Sequence, residues 1–177
     1  MKKILVALVL VAMAAGCGGG GTPASSSTPA PTPTPCSQAV IASNHGSLPS
    51  RTVALDPFSV ALAGRLDITV DWTVPSSQIG VYVVPVNTCT TIEQFNARSC
   101  NFLVRSESGA KPRKISTPSF SSGNYDLLLA NFADVDESLS YQIVLSQGSC
   151  AALAGGAPPT TSQSGASLTV RQVGRLH

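Results

Sequence analysis

Leu66-Asp67-Ile68-Thr69-Val70-Asp71-Trp72-Thr73-Val74 alternates apolar and polar residues without a break. Successive side chains of a strand point to opposite faces. Leu66, Ile68, Val70, Trp72 and Val74 therefore share one side, and Asp67, Thr69, Asp71 and Thr73 the other. Nine residues of this pattern predict a strand with one face in a core and one in water.

Shorter segments of the same kind lie on both sides of it. They run over Thr52–Leu55, Phe58–Leu62, Ile79–Val86, Phe102–Arg105, Lys114–Thr117, Tyr125–Asn131, Ser140–Leu145 and Ser167–Val173. Turn-forming pieces separate them, among them Pro75-Ser76-Ser77, Ser121-Ser122-Gly123-Asn124 and Asp134–Ser138. All nine aromatic residues fall between Phe58 and Tyr141, which brackets the core. About eight short strands at this spacing predict an all-β, antiparallel two-sheet sandwich of jelly-roll type. The one helical signal is a single turn at Ile92–Asn96, with Thr90 or Thr91 as cap and Glu93 or Gln94 three residues on.

The front of the chain is an address. Met1-Lys2-Lys3 is followed by twelve apolar residues, Ile4 to Ala15. A spanning helix needs about 20, so this run has the proportions of a secretory signal instead. Ala14-Ala15-Gly16 then leads into Cys17, an arrangement that resembles the lipobox of bacterial lipoproteins. The resemblance implies removal of residues 1–16, a thioether-linked diacyl group on Cys17 and acylation of the freed amine. Acyl chains contribute about 0.8 kcal/mol per buried methylene, so two or three of them hold a protein on a membrane. Residues 18–35 contain four Gly, five Pro, seven Ser/Thr and two Ala, with nothing able to pack. Residues 17–35 thus read as a lipidated cysteine and tether. Gly18 stands where some inner-membrane lipoproteins carry an Asp. The expected location is an exported, membrane-anchored one, with the outer membrane favoured in a Gram-negative host. Residues 36–177 remain as one domain of 177 − 35 = 142 residues, with a loop-rich extension from 151.

In the folded part, Ala63-Gly64-Arg65-Leu66 through Trp72, Gly80-Val81-Tyr82-Val83, Gly123-Asn124-Tyr125 through Asn131, and Ser140-Tyr141 through Leu145 carry a second resemblance. Their layout is similar to that of bacterial pre-peptidase C-terminal domains. In that family a glycine introduces a long alternating strand, a strand with a central Tyr follows, and a Gly-x-Tyr strand is hairpinned to a Ser-Tyr strand. The resemblance implies a jelly-roll-like sandwich of the kind that accompanies secreted enzymes and sometimes binds matrix polymers or calcium. Gln78-Ile79-Gly80 stands where the family often carries Asp-x-Asp, which removes those calcium ligands here.

Besides Cys17 the chain holds Cys36, Cys89, Cys100 and Cys150. Four cysteines in an exported domain predict two disulfides. Cys89 and Cys100 flank the helical turn and suit a local bridge; Cys36 and Cys150 would then tie the two ends of the sandwich together. The spacings are not those of a zinc site.

Charge and motifs narrow the function. Without Lys2 and Lys3 the chain has nine Lys/Arg and nine Asp/Glu, so no basic excess points to nucleic acid. His45 lies in a turn-like Ser43-Asn44-His45-Gly46-Ser47 run before the first expected strand, and His177 is the last residue. Ser108-Gly109-Ala110-Lys111 has the Ser-x-x-Lys spacing, but Gly109 and Pro112 oppose the helix that chemistry needs. Lys111-Pro112-Arg113-Lys114 reads as a solvated basic cluster. Asp134, Asp136 and Glu137 form the one dense acidic loop, a weak calcium candidate without the ligand series of an EF-hand. No cofactor, no metal centre and no catalytic residue are expected. The sequence reads as a lipid-anchored envelope protein whose sandwich binds or supports an envelope protein or polysaccharide. The alternative is a surface enzyme, or an enzyme's accessory module, acting on a polymer.

Overall fold

The computed structural model describes residues 35–107, 110–148 and 171–176. These residues form nine strands: β1 (Ser37–Leu48), β2 (Thr52–Val60), β3 (Gly64–Trp72), β4 (Ile79–Pro85), β5 (Val104–Ser106), β6 (Arg113–Phe120), β7 (Gly123–Asn131), β8 (Glu137–Gln147) and β9 (Arg171–Arg175). A single helical turn, α1 (Ile92–Asn96), interrupts them. One sheet has the order β1-β8-β3-β6 and the other β5-β4-β7-β2-β9. Every pairing is antiparallel. The protein is an all-β sandwich.

The alternating stretch is β3, and it lies inside the first sheet between β8 and β6. Leu66, Ile68, Val70 and Trp72 are all buried. The strand stops at Trp72, and Val74, expected on the same face, lies in the following loop and is exposed. Facing β3 across the sandwich are Val81 and Val83 of β4, Leu127 and Leu129 of β7, and Phe58 and Val60 of β2, all in one buried cluster.

The second sheet is buried on both faces along β4, most of β7 and the start of β2. Its outer face carries Tyr82, Val84, Leu128, Ala130 and Val53, which pack with Phe95, Cys89, Cys100 and Leu176 in a second cluster. The cover is the segment between β4 and β5. Thr91 caps α1 and its hydroxyl accepts from the Gln94 amide, while the Gln94 side chain accepts from the Thr91 amide, a capping box. Phe95 then meets Tyr82 edge-on, with ring centroids 5.0 Å apart. Cys89 and Cys100 are disulfide-bonded, their Cα atoms 5.2 Å apart, so the cover is stapled at both ends. Cys36 is disulfide-bonded as well; Cys150 lies outside the described residues.

Several boundaries differ from the sequence reading. The expected strands at Thr52–Leu55 and Phe58–Leu62 are one strand, β2, running through Pro57. Pro57 lies opposite Asp126 of β7, and among the described residues β9 pairs with β2 from Thr52 to Leu55. The Ser43–Ser47 run is not a turn but the second half of β1. Its inward positions are Asn44 and Gly46, opposite Tyr141 and Leu139, which hides the apolar alternation. The Ser167–Val173 expectation falls largely outside the described residues; the strand observed there is β9.

The staple yields a stability prediction. Replacing Cys89 and Cys100 together by Ser should lower unfolding stability by about 2–3 kcal/mol, the amount expected for opening a loop of this length. Denaturant unfolding monitored by Trp72 fluorescence would measure it, and an unchanged midpoint would contradict it.

Candidate functional site

The two charged clusters of the sequence arrive at the same end of the sandwich. The loops 49–51, 73–78 and 132–136 meet there, together with Glu107 at the end of β5 and residues 110–112 before β6. β1 enters at the opposite end, where Ser37 pairs with Gln147. At about 3.3 Å per residue, the twelve residues of β1 separate the two ends by roughly 40 Å.

Buried hydrogen bonds hold the rim of loops in place. Asn131, at the end of β7, is fully buried. Its side-chain amide donates to the carbonyls of Leu48, Pro49 and Val135 and accepts from the Ala133 amide. Arg51 has φ 54°, a left-handed conformation that turns β1 into β2. Its backbone N–H donates to Ala133 O and its carbonyl accepts from the Leu176 amide. The Arg51 guanidinium pairs with Asp134 at 2.7 Å and holds that carboxyl below the usual carboxylate range. Both groups are well exposed, so the pair adds little stability.

The acidic loop does not converge on a cation position. Asp134 is tied to Arg51, and Asp136 accepts from the Ser50 amide at 2.7 Å. Glu137 is the first residue of β8, and its side chain is buried. One of its oxygens accepts from the Thr73 amide, the Thr73 hydroxyl and the Val74 amide. Burial pushes the Glu137 carboxyl up, but hydrogen bonds from Ser77, Thr73 and Val74 outweigh it, so the group lies below the ordinary value. Glu137 is a structural clamp on the β3–β4 loop, not a loop ligand. Among the described residues no group of three His, Cys, Asp or Glu side chains is placed to hold a metal.

The basic cluster also divides. Lys111 pairs with Asp71 at 3.2 Å, and Lys114 is exposed. Arg113 is one of the most deeply buried residues of the chain. It sits opposite Val70 on β6, reaches across the sandwich and donates from Nη1 to Ile79 O of β4 and Ser106 O of β5. Its guanidinium lies 5.6 Å from the centre of the Trp72 ring, within cation–π range. Burial lowers the pKa of Arg113, and Tyr82 and Glu107 act in the opposite direction. Period-two counting carries the signal that was available: Ile115 faces inward, so Arg113 does too.

Next to Arg113, Glu107 accepts from the Tyr82 hydroxyl at 2.6 Å and from Arg105 at 2.8 Å. Arg105 and Tyr82 keep the Glu107 carboxyl below its usual range, and burial followed by Glu107 raises the Tyr82 hydroxyl. Ser108 lies outside the described residues. His45 is exposed on β1, across from Ser140 of β8. At the entry end, a depression of about 440 Å³ is lined by Ala63, Gly64, Arg65, Ser119, Ser146 and Gln147. The Arg65 guanidinium lies 2.9 Å from Asp67.

No protein-family model matches the chain, and no curated protein does. Among solved structures it is similar to the pre-peptidase C-terminal domain of a collagenase from Bacillus anthracis, at 14% identity and TM-score 0.41, over 61% of this chain and 90% of that one. It is also similar to the Yersinia pseudotuberculosis-derived mitogen, at 13% identity and TM-score 0.43, over 64% of this chain and 87% of that one.

The Glu137 clamp predicts a specific acid response. The carboxyl is more acidic in the folded chain than its reference value of 4.5. Its stabilisation is therefore complete above that value and is lost as pH falls through the lower folded value. Glu137→Gln should cost about 1–3 kcal/mol near neutral pH, and the gap to the parent should close in acid. Urea unfolding of both chains from pH 7 to pH 3 tests this; a gap constant across that range would refute the assignment.

Proposed function

We propose that the protein is a lipid-anchored component of a bacterial cell envelope, held by acyl chains on Cys17, that presents one β-sandwich as a structural or binding module. The observation that carries the reading is the lipobox-like Ala14-Ala15-Gly16-Cys17 after twelve apolar residues, followed by a Gly/Pro/Ser/Thr stretch that runs to the start of β1. The chain enters the sandwich at one end, and the rim of loops around Arg51 and Asn131 lies at the other. A domain entered from the membrane side in this way offers its far end to a partner, an envelope protein or polysaccharide. In a Gram-negative host the outer membrane is the proposed location. A binding or structural role is supported by the way Asn131, Glu137, Arg113 and Glu107 each hold a loop or a strand end at this side of the sandwich.

The second disulfide belongs to the same reading. Ser37 pairs with Gln147 at the end of the β1–β8 ladder, so Cys36 continues from one strand toward the chain that follows the other. Cys36 bonded to Cys150 would close that end of the first sheet beside the tether.

Two measurements test these proposals separately. Cys17→Ser should abolish labelling by radioactive palmitate and release the protein from membranes or block its processing. Processing and membrane retention that survive the substitution would overturn the anchor. Non-reducing peptide mapping should recover Cys36 joined to Cys150, and a peptide joining Cys36 to any other cysteine would overturn that bridge.

A further inference from the structure

The two ends of the sandwich differ in charge. At the rim, the connecting segments carry Arg51, Glu107, Lys111, Asp134 and Asp136. At the entry end, the described connecting segments carry no charge. Ala61-Leu62-Ala63 joins β2 to β3, Val86-Asn87-Thr88 follows β4, and Ser121-Ser122 joins β6 to β7. Register brings them to one place: Gly123 pairs with Val60, Gly64 with Phe120, and the Val86 amide donates to Asn124 O. The charges behind this end are withdrawn. Asp126 is buried and accepts from the Asn87 amide, and Arg65 pairs with Asp67 at 2.9 Å. Exposed apolar side chains occur at both ends, but in different company. Val135, 47% exposed, stands between Asp134 and Asp136. Leu62, 62% exposed, stands between Ala61 and Ala63, which are exposed too. β2 and β3 belong to different sheets, so this loop arches over the end of the sandwich with Leu62 at its middle.

We propose that this end of the sandwich docks on a lipid bilayer, with Leu62 as the side chain that enters it. The proposal rests on the anchor at Cys17 for its proximity and adds which face the domain turns to the membrane. An end without charge gives up no ionic hydration when it meets the bilayer, and an exposed leucine gains by leaving water. The rim is unsuited to this contact, because lipid would strip water from the carboxylates of Asp134 and Asp136. β1 begins at the uncharged end, and the eighteen residues between Cys17 and Cys36 span at most about 60 Å even fully extended. Docking is then an intramolecular event, so a weak contact is enough to set the orientation. The chain that leaves β8 at the same end adds no charge either, since none occurs from Ser138 to Val170.

The test uses the full-length acylated chain, methyl-labelled at leucine and valine, in phosphatidylcholine nanodiscs that contain a nitroxide lipid. The nitroxide should broaden the methyl signals of Leu62 and Val86 and leave those of Val74 and Val135 sharp. Leu62→Asp should stay on the discs and lose the broadening at Val86. Four signals equally sharp or equally broadened would overturn the docking while the anchor stands. So would broadening at Val74 and Val135 instead, or broadening at Val86 that survives Leu62→Asp. A chain that elutes apart from the discs would overturn the anchor and the docking with it. The comparison of the four signals needs no variant, and it decides the matter if the substituted chain fails to fold.

Discussion

The structure depends on covering the outer face of one sheet. Tyr82, Val84, Leu128 and Ala130 leave β4 and β7 apolar on both sides, and a sheet of that kind cannot face water. The segment from Cys89 to Cys100 supplies the cover. It is too short to hold a fold of its own, so it needs the capping box at Thr91, the Phe95 contact and the disulfide together. Once it is seated, the molecule has two unequal halves. The middle of the second sheet is then an interior layer, while the first sheet carries Asp67, Thr69 and Asp71 on its solvent side.

Charge is handled with the same economy. The chain is 11% charged residues, and among the described residues Arg113, Asp126 and Glu137 lie inside; Arg113 and Glu137 are the two that span strands or loops. They do not neutralise each other. Backbone carbonyls of Ile79 and Ser106 receive the guanidinium, while the Thr73 and Val74 amides serve the carboxylate. Each links strands or loops that apolar packing alone would leave free to slide. A charge held on one side by backbone dipoles fixes position more strictly than a methyl group does, because hydrogen bonds demand direction as well as contact. On their other side, Nε and Nη2 of Arg113 and Oε1 of Glu137 are buried without a hydrogen-bond partner among the described residues.

The sequence made β3 plain because one of its faces is buried and the other is wet. β4 and β7 were legible as strands through apolar content, but their second buried face was invisible, since Ile79-Gly80-Val81-Tyr82-Val83-Val84 has no alternation to read. β1 was missed for the opposite reason. Asn44 and Gly46 occupy inward positions, and Asn44 is there to donate to Asp56, which also receives the Tyr141 hydroxyl. Of the charged clusters, proximity in sequence was misleading. Asp134, Asp136 and Glu137 look like one group but point to three different tasks, because a strand begins at Glu137 and turns its side chain inward. Asn131 carried no local signal, since its worth comes from carbonyls of two loops far apart in the chain.

The strand order also dictates when the molecule can form. β1 pairs with β8, so Ser37 meets Gln147, and β2 receives β9, so Thr52 meets Arg175. β1 therefore waits for a partner made about ninety to a hundred and ten residues later, whereas β2 can pair with β7 before β9 arrives. No early hairpin stands in for that partner, because β1 and β2 belong to different sheets. During synthesis β1 stays without its ladder until β8 has emerged, and closing such distant pairs makes folding slow. The first sheet is thus assembled in an order its strands are not made in: β3 and β6 can meet early, and the outer strand β1 joins only through β8.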